Sequence, residues 1–470
     1  MQINGLLSDL FLKIANRLGF ELQPKQYFYN DFYDVSNISL TSILSDRLST
    51  LIVADSDISI DGNRNIDTLQ KVIDEFFKIK LKTSVMTSLG TGDCLIIPIT
   101  DGRNFGIDIV ENNRFQVINS MGETIYSIVI ERDSFVRGNN TYKRFEYHGL
   151  EIINDIPVCK IRRYGYIDDR EVDINSVDVW RDIPKETIIP NVDRLLFGRL
   201  KCPTVNRENI NSSQGVPITY GLDVAVGKAK ESYIRFNDEF ARKQTKIFAG
   251  KQLFKKDKDD NIYLPDGGVF QMVKTDLEGN MPIKEFSPDL RYNDLRGGVE
   301  FNLKMLELFA GLSNGLLTDI QGADLATATA IRASMHNTFA FVNTMRKIIE
   351  NGVDNLIYGI AMLYNANSQS GIIGQYNVKY EWDDSLMENS TEMFNMLLQS
   401  QSLDIVSKAE VRSWLKNESI DQAERKIKDI EQDGIDEFNI EDDQSNQSDV
   451  TTTEVKQQAQ EAAGKTLNGA

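Results

Sequence analysis

A seven-residue apolar register runs through two stretches of this chain, and each stretch constrains the length and the packing face of one helix. In the first, Leu222, Val226, Ala229, Tyr233, Phe236, Phe240 and Ile247 follow one another at alternating spacings of four and three, broken only where Lys243 takes the next seam position. That pattern keeps one helix face apolar. It predicts a helix over 222–249, about 28 residues and roughly 40 Å long at ~1.5 Å per residue. Gly227 lies inside it at a cost of about 1 kcal/mol against alanine, which predicts close approach by a neighbour. In the second stretch, Ile331, Met335, Val342, Met345, Ile349, Leu356 and Leu363 hold the same register. They predict a helix over 328–365, the longest in the chain, with Gly352 and Gly359 as bends.

Around these helices the texture changes. From 93 to 205, β-rich runs such as CLIIPIT, FGIDIV, TIYSIVIERD and YKRFEYH alternate with Gly/Asn/Asp turns, predicting an α+β region with a largely antiparallel sheet. The N-terminal MQINGLLSDLFLKIANRLGFEL reads as an amphipathic helix, and further helices are expected over 40–54 and 66–86. Pro203 and Pro217 bracket a loop before the first seam. Short strands are expected over 250–288, then a helix over 292–310, a glycine-rich loop over 311–327, and a strand in YNVKYEW after the long helix. Helices are then expected over 391–401, 408–417 and 420–431, the second opened by a Ser407/Glu410 capping box. From 429 to 449 stand nine acids and no base, so the tail is expected to be disordered.

The 470 residues have room for two to four domain-sized units, and 41% hydrophobic content suffices for a core. A net charge of −18 argues against a chain whose whole surface clings to nucleic acid, though not against one that passes it along. Cys94, Cys159 and Cys202 are odd in number and widely spaced, which reads as reduced thiols rather than disulfides. No stretch of eighteen apolar residues predicts a membrane span.

Three motifs suggest chemistry and lack its context. Gly221 and Gly227-Lys228 resemble a phosphate-binding loop, but five residues separate the glycines and Ala229 replaces the hydroxyl that would hold magnesium. GLSNG at 311–315 resembles a nucleophile elbow around Ser313, yet the segment before it is helical and only His336 comes after it. DKDDNIYLPDGG from Asp257 resembles a calcium loop with Ile262 in place of the turn glycine and Gly268 in place of the bidentate acid. With His148 and His336 alone, histidine metal clusters are not expected. No catalytic residue, cofactor or metal site is therefore assigned.

Lys228, Arg235 and Arg242 recur every seven residues along the first seam helix, with Glu231 and Asp238 three residues after the first two. This row is either a solvated face with internal ion pairs, or a row that meets an acidic neighbouring helix or lines a passage.

The order of elements, together with YGLDVAVGKAKESYIRFNDEFARKQTKIFAGKQLF, LFGRLKCPTVNRENINSSQGVP and the TATAIRASMHNT that opens the longest helix, resembles bacteriophage portal proteins, the head-to-tail connectors, of the Gram-positive siphophage type. The resemblance implies an α+β portal fold: a wing over 1–215, stem helices over 216–249 and 291–310, a clip over 250–290 and a tunnel loop over 311–327. A long wing helix and strand over 328–382, crown helices over 383–431 and an acidic tail over 432–470 complete it. It implies a ring of twelve subunits at one capsid vertex, packaging and ejecting double-stranded DNA, with no enzymatic activity of its own. Leu316, Leu317, Thr318, Asp319 and Ile320 would lie nearest the DNA. Lys255, Lys256, Asp257 and Lys258 in the clip would face the terminase large subunit and later a head-completion adaptor. Major capsid and scaffolding proteins are further implied partners, and the location is the virion after assembly in the host cytoplasm. A non-portal capsid or scaffold component, or a hydrolase using Ser313, is the alternative.

Overall fold

The β-rich middle of the sequence folds as its alternation dictates, into antiparallel ladders whose inward faces are closed by helices. The computed structural model describes residues 2–20, 31–34, 38–54, 56–100, 104–242, 246–250, 270–273, 283–286, 289–318, 334–367, 373–382, 406–416 and 419–441. These fall into two compact units, 1–384 and 385–470.

The first unit opens with α1 (Gln2–Arg17) and α2 (Leu40–Val53), the latter capped by Ser39, whose Oγ accepts the Ser42 N–H. After β1 (Asp57–Gly62) comes one helical run in three pieces: α3 (Ile66–Glu75), a π-helical turn (Phe76–Lys80) and α4 (Leu81–Thr91). Gly92 ends it in the left-handed region at φ +94°, with Val216 backbone so close that a Cβ would sit 2.4 Å from it. Next in the chain are β2 (Asp93–Thr100), β3 (Phe105–Glu111), β4 (Phe115–Met121), β5 (Thr124–Arg137), β6 (Asn140–Ile153), β7 (Ile156–Ile167), β8 (Arg170–Val172), β9 (Glu186–Pro190) and β10 (Gly198–Lys201). Strands β4 to β8 form one antiparallel sheet in sequence order, with β9 added along β7, while β10, β2 and β3 form another. On one side of the larger sheet, Leu10, Phe11 and Ile14 of α1 pack on Val129, Phe145 and Tyr166. Another cluster, around Leu95, Ile128, Cys159 and Leu196, joins the two sheets.

The seam helices come next: α5 (Asp223–Arg242), then β11 (Lys246–Gly250), β12 (Phe270–Val273) and β13 (Ile283–Phe286), then α6 (Tyr292–Phe309). The first seam helix is therefore 20 residues long and does not reach Ala249. KIFAG leaves the helix because it pairs with both later strands, parallel to β12 and antiparallel to β13. Helix α7 (His336–Asn367) has 32 residues, and β14 (Tyr376–Glu381) pairs antiparallel with β1. The predicted register holds along α7: Val342, Met345, Ile349 and Leu356 are fully buried. Its glycines are points of close contact. A Cβ at Gly198 would lie 2.0 Å from Gly352 O, and one at Gly359 would lie 3.0 Å from Leu196 O. Cys94, Cys159 and Cys202 are all free and buried, in keeping with their spacing. Among the described residues no helix is long and apolar enough to cross a membrane.

The second unit holds α8 (Lys408–Lys416) and α9 (Ile420–Glu441). The capping box forms as read: Glu410 N–H donates to Ser407 Oγ at 3.1 Å, and Ser407 N–H donates to Glu410 Oε2 at 2.7 Å. Helix α9 runs to Glu441, past the end expected at 431 and into the acidic stretch expected to be disordered. Helix formation needs only local backbone bonds, so an acidic composition that cannot build a core can still be helical. The helix expected over 391–401 lies outside the described residues.

Candidate functional site

The site is the pair α5 and α6 with the loop that leaves α6. Val226 and Ala229 of the seam are buried with Leu306 of α6 and Leu40 of α2, and Leu222, Leu303 and Leu317 pack around them. Farther along α5, Phe236 meets Phe240 edge-on at 5.1 Å and Tyr292 of α6 at 5.7 Å between ring centroids. At that end Arg291 donates twice to Glu239, at 3.0 and 2.8 Å. Toward the base, Lys230 pairs with the fully buried carboxylate of Asp31 at 2.7 Å. Asp31 also accepts the N–H groups of Leu40 and Thr41 at 2.9 and 3.1 Å, so one acid ties the start of α2 to α5. Burial works against its ionised form, but Lys230 and Thr41 outweigh that and hold its carboxyl below the ordinary range.

The Gly-Lys stretch has no phosphate cradle. Gly221 takes φ +72° in the turn before α5, and Ala229 is buried in the seam. Lys228 and Arg235 are exposed and border a groove of about 410 Å³ with Asp294 of α6. Arg235 pairs with Glu231 four residues before it, an i,i+4 pair on the helix surface. Arg242 ends α5, and its side chain lies outside the described residues. No neighbour in this chain approaches Gly227: a Cβ there would meet nothing within 4 Å.

Beyond α6 the chain turns through Gly311 and Gly315, at φ +75° and +117°. Glu307, fully buried in the last turn of α6, organises this turn. Its carboxylate accepts the N–H of Gly315 at 3.2 Å, the N–H of Leu317, and the hydroxyl of Thr318 at 3.1 Å. Arg47 of α2 donates to the Leu316 carbonyl. Leu316 is itself buried and Leu317 joins the α5–α6 cluster, so both apolar loop residues are housed against protein. Sequence reasoning alone gives them no such housing because it overlooks Glu307. The available signal is an acid set inside the apolar stripe, next to Leu306. Asp319 and Ile320 lie outside the described residues, as do Lys255, Lys256, Asp257, Lys258 and the rest of the calcium-like segment.

Ser313 is committed to structure. Its N–H donates to Thr338 Oγ1 at 3.0 Å, and its hydroxyl accepts the Thr338 N–H at 3.4 Å, pinning the loop to the first turn of α7. That is a cap's work, with the hydroxyl oxygen turned to a helix N–H. Among the described residues no group of three or more His, Cys, Asp or Glu side chains is placed to hold a metal ion.

No protein-family model matches the sequence, and no curated protein matches it. Among solved structures it is similar to a chain of the virion of a native gene transfer agent particle, at 12% identity and a TM-score of 0.43, over 86% of this chain and 98% of that one. It is also similar to a chain from the neck of the native particle, computed with C12 symmetry, at 11% identity and a TM-score of 0.44, over 87% and 99%. A chain from the neck of the empty particle, computed with C6 symmetry, gives 11% and 0.42 over 86% and 98%. Likeness this distant does not by itself define a function.

Proposed function

We propose that this chain is a portal subunit, one of twelve in a ring that conducts double-stranded DNA through a capsid vertex and docks the packaging motor and head-tail joining proteins. One observation carries the reading: the α5–α6 pair leaves Val224, Ile234, Phe301 and Phe309 57–73% exposed. A lone hairpin of two helices gains nothing from apolar residues in water, whereas side-by-side copies would bury them. In this reading α5 and α6 are the stem, the small β11–β13 sheet between them belongs to the clip, and the sheets of the first unit are the wing. The loop after Thr318 would reach into the tunnel. The 383–431 segment would form the crown, and the clip lysines would meet the terminase large subunit.

The charge pattern supports a conduit that lets duplex slide. Every phosphate neutralised adds salt-dependent affinity. Arg235 is paired to Glu231, so one of the three bases in the row is already countered within the helix. The function is structural and not enzymatic, and Ser313, spent on the α7 cap, is a poor nucleophile candidate. Negative-stain imaging and native mass spectrometry of the purified full chain test the reading. Closed rings with a central hole are expected; a chain that stays monomeric over the whole accessible concentration range defeats it.

A further inference from the structure

Away from the helix pair, a cleft of about 830 Å³ opens between β10 with the loop after it and one flank of α7, where Ile348, Asn351 and Asn355 form the wall. Two buried donors in it lack acceptors. Arg199, its side chain 10% exposed, spends Nε on both oxygens of the fully buried Asp93, at 3.0 and 3.1 Å, and Nη2 on Asp93 and the Ser213 carbonyl. Its Nη1 has no hydrogen-bond partner, and the Glu123 carboxylate lies 4.0 Å away. Asn206 is 6% exposed. Its Oδ1 accepts the N–H groups of Glu208 and Asn209 at 3.1 and 3.2 Å, which fixes the amide's orientation and leaves Nδ2 unpartnered.

A buried donor that has given up water and found no acceptor destabilises the fold, so two on one cleft point to an acceptor supplied from outside. Glu123 is the side chain that yields: it is 77% exposed at the β4–β5 turn, held by Lys201 at 3.0 Å and only distantly, at 4.0 Å, by Arg199 itself. On the rim, Val205 and Ile210 are 60% and 79% exposed, so the visitor brings apolar contacts as well as an acceptor.

We infer that this cleft docks a second copy of the chain, which inserts an Asp or Glu side chain between Arg199 and Asn206 and lays apolar residues on Val205 and Ile210. The inference rests on the ring reading, which sets an identical neighbour beside every subunit. It also fits the charge: 70 acids against 52 bases leave each copy with carboxylates to offer. The position of Ile210 allows a test that leaves the fold intact. The photo-crosslinking residue benzoyl-phenylalanine, placed at 210 in the full chain, is irradiated in purified protein beside irradiated wild type, and the products are mapped by mass spectrometry. A ladder of covalent dimers and higher oligomers is expected only in the substituted chain, with Asp or Glu beside the captured residue of the partner peptide. Rings that form without that ladder, or a captured peptide with no acid, overturn the docking site and leave the ring standing. Crosslinked dimers without rings sustain the docking site and remove the portal reading. Neither rings nor crosslinks remove both.

Discussion

Glu131 and Glu146 stand on adjacent strands, β5 and β6, and their carboxyls shift in opposite directions. Burial alone would raise Glu146, but His148, Arg132 and Arg163 hold it well below the usual carboxylate range. Its Oε1 accepts from Arg144 and Arg163 at 2.8 Å each, and its Oε2 lies 3.3 Å from His148 Nε2. A bulge between Glu131 and Asp133 brings Arg132 within 3.5 Å of the same carboxylate while Asp133 pairs with Arg144 at 2.6 Å. Glu131 is buried too, but its Oε2 has no partner, and burial raises its carboxyl against the weaker pull of Lys143 and Arg114. Glu146, depressed in the fold, contributes stability above its unfolded value that is lost as pH falls through its folded one; Glu131, raised in the fold, weakens the fold once ionised and does so less as pH falls. Glu146→Gln should therefore lower the unfolding free energy at neutral pH by about 3–5 kcal/mol, as for a broken buried pair, read as a lower urea midpoint. Glu131→Gln should match or exceed wild type there, with a flatter dependence toward acid. Equal losses in both variants would contradict the assignment.

At the scale of elements, α7 is seated by glycines rather than by its register alone. With a Cβ at 198 only 2.0 Å from Gly352 O, Gly198→Ala must push α7 off β10. Overpacking of that kind costs about 1–3 kcal/mol or more. A lower melting temperature and faster amide exchange along α7 near 352 are expected; unchanged exchange would show that the contact is not limiting. Sequence alone does not reveal this, because a close approach needs the partner backbone, which lies far away in the chain. The legible features are local or periodic. The buried face of α7 can be read from Val342, Met345, Ile349 and Leu356 in register, and the Ser407–Glu410 cap from two residues three apart. The seam overextends α5 because KIFAG suits either state and only its pairing with β12 and β13 decides. Glu307 escapes notice for the same reason: three donors from later in the chain give a buried acid its purpose.

For the whole molecule, features that a single chain leaves unexplained are informative about its surroundings. Gly227 in α5 and Gly298 in α6 sit in helix interiors where a Cβ would meet nothing of this chain within 4 Å, and neither has a positive φ. Each forgoes about 1 kcal/mol of helix propensity relative to alanine with no internal return. The proposed ring supplies a reason, since copies of the stem packed side by side can approach closely where side chains are missing. Subunit stability and assembly should then separate. In the unassembled subunit, Gly227→Ala with Gly298→Ala should keep or raise the melting temperature, by restricting the unfolded chain and favouring the helix. In the assembling protein the same pair should lower the fraction sedimenting as rings, because two methyl groups now stand between neighbouring helices. A drop in melting temperature of the unassembled subunit would mean that the glycines answer to their own chain. Undiminished ring formation would mean that this face of the stem looks onto solvent and that the subunits join through other surfaces.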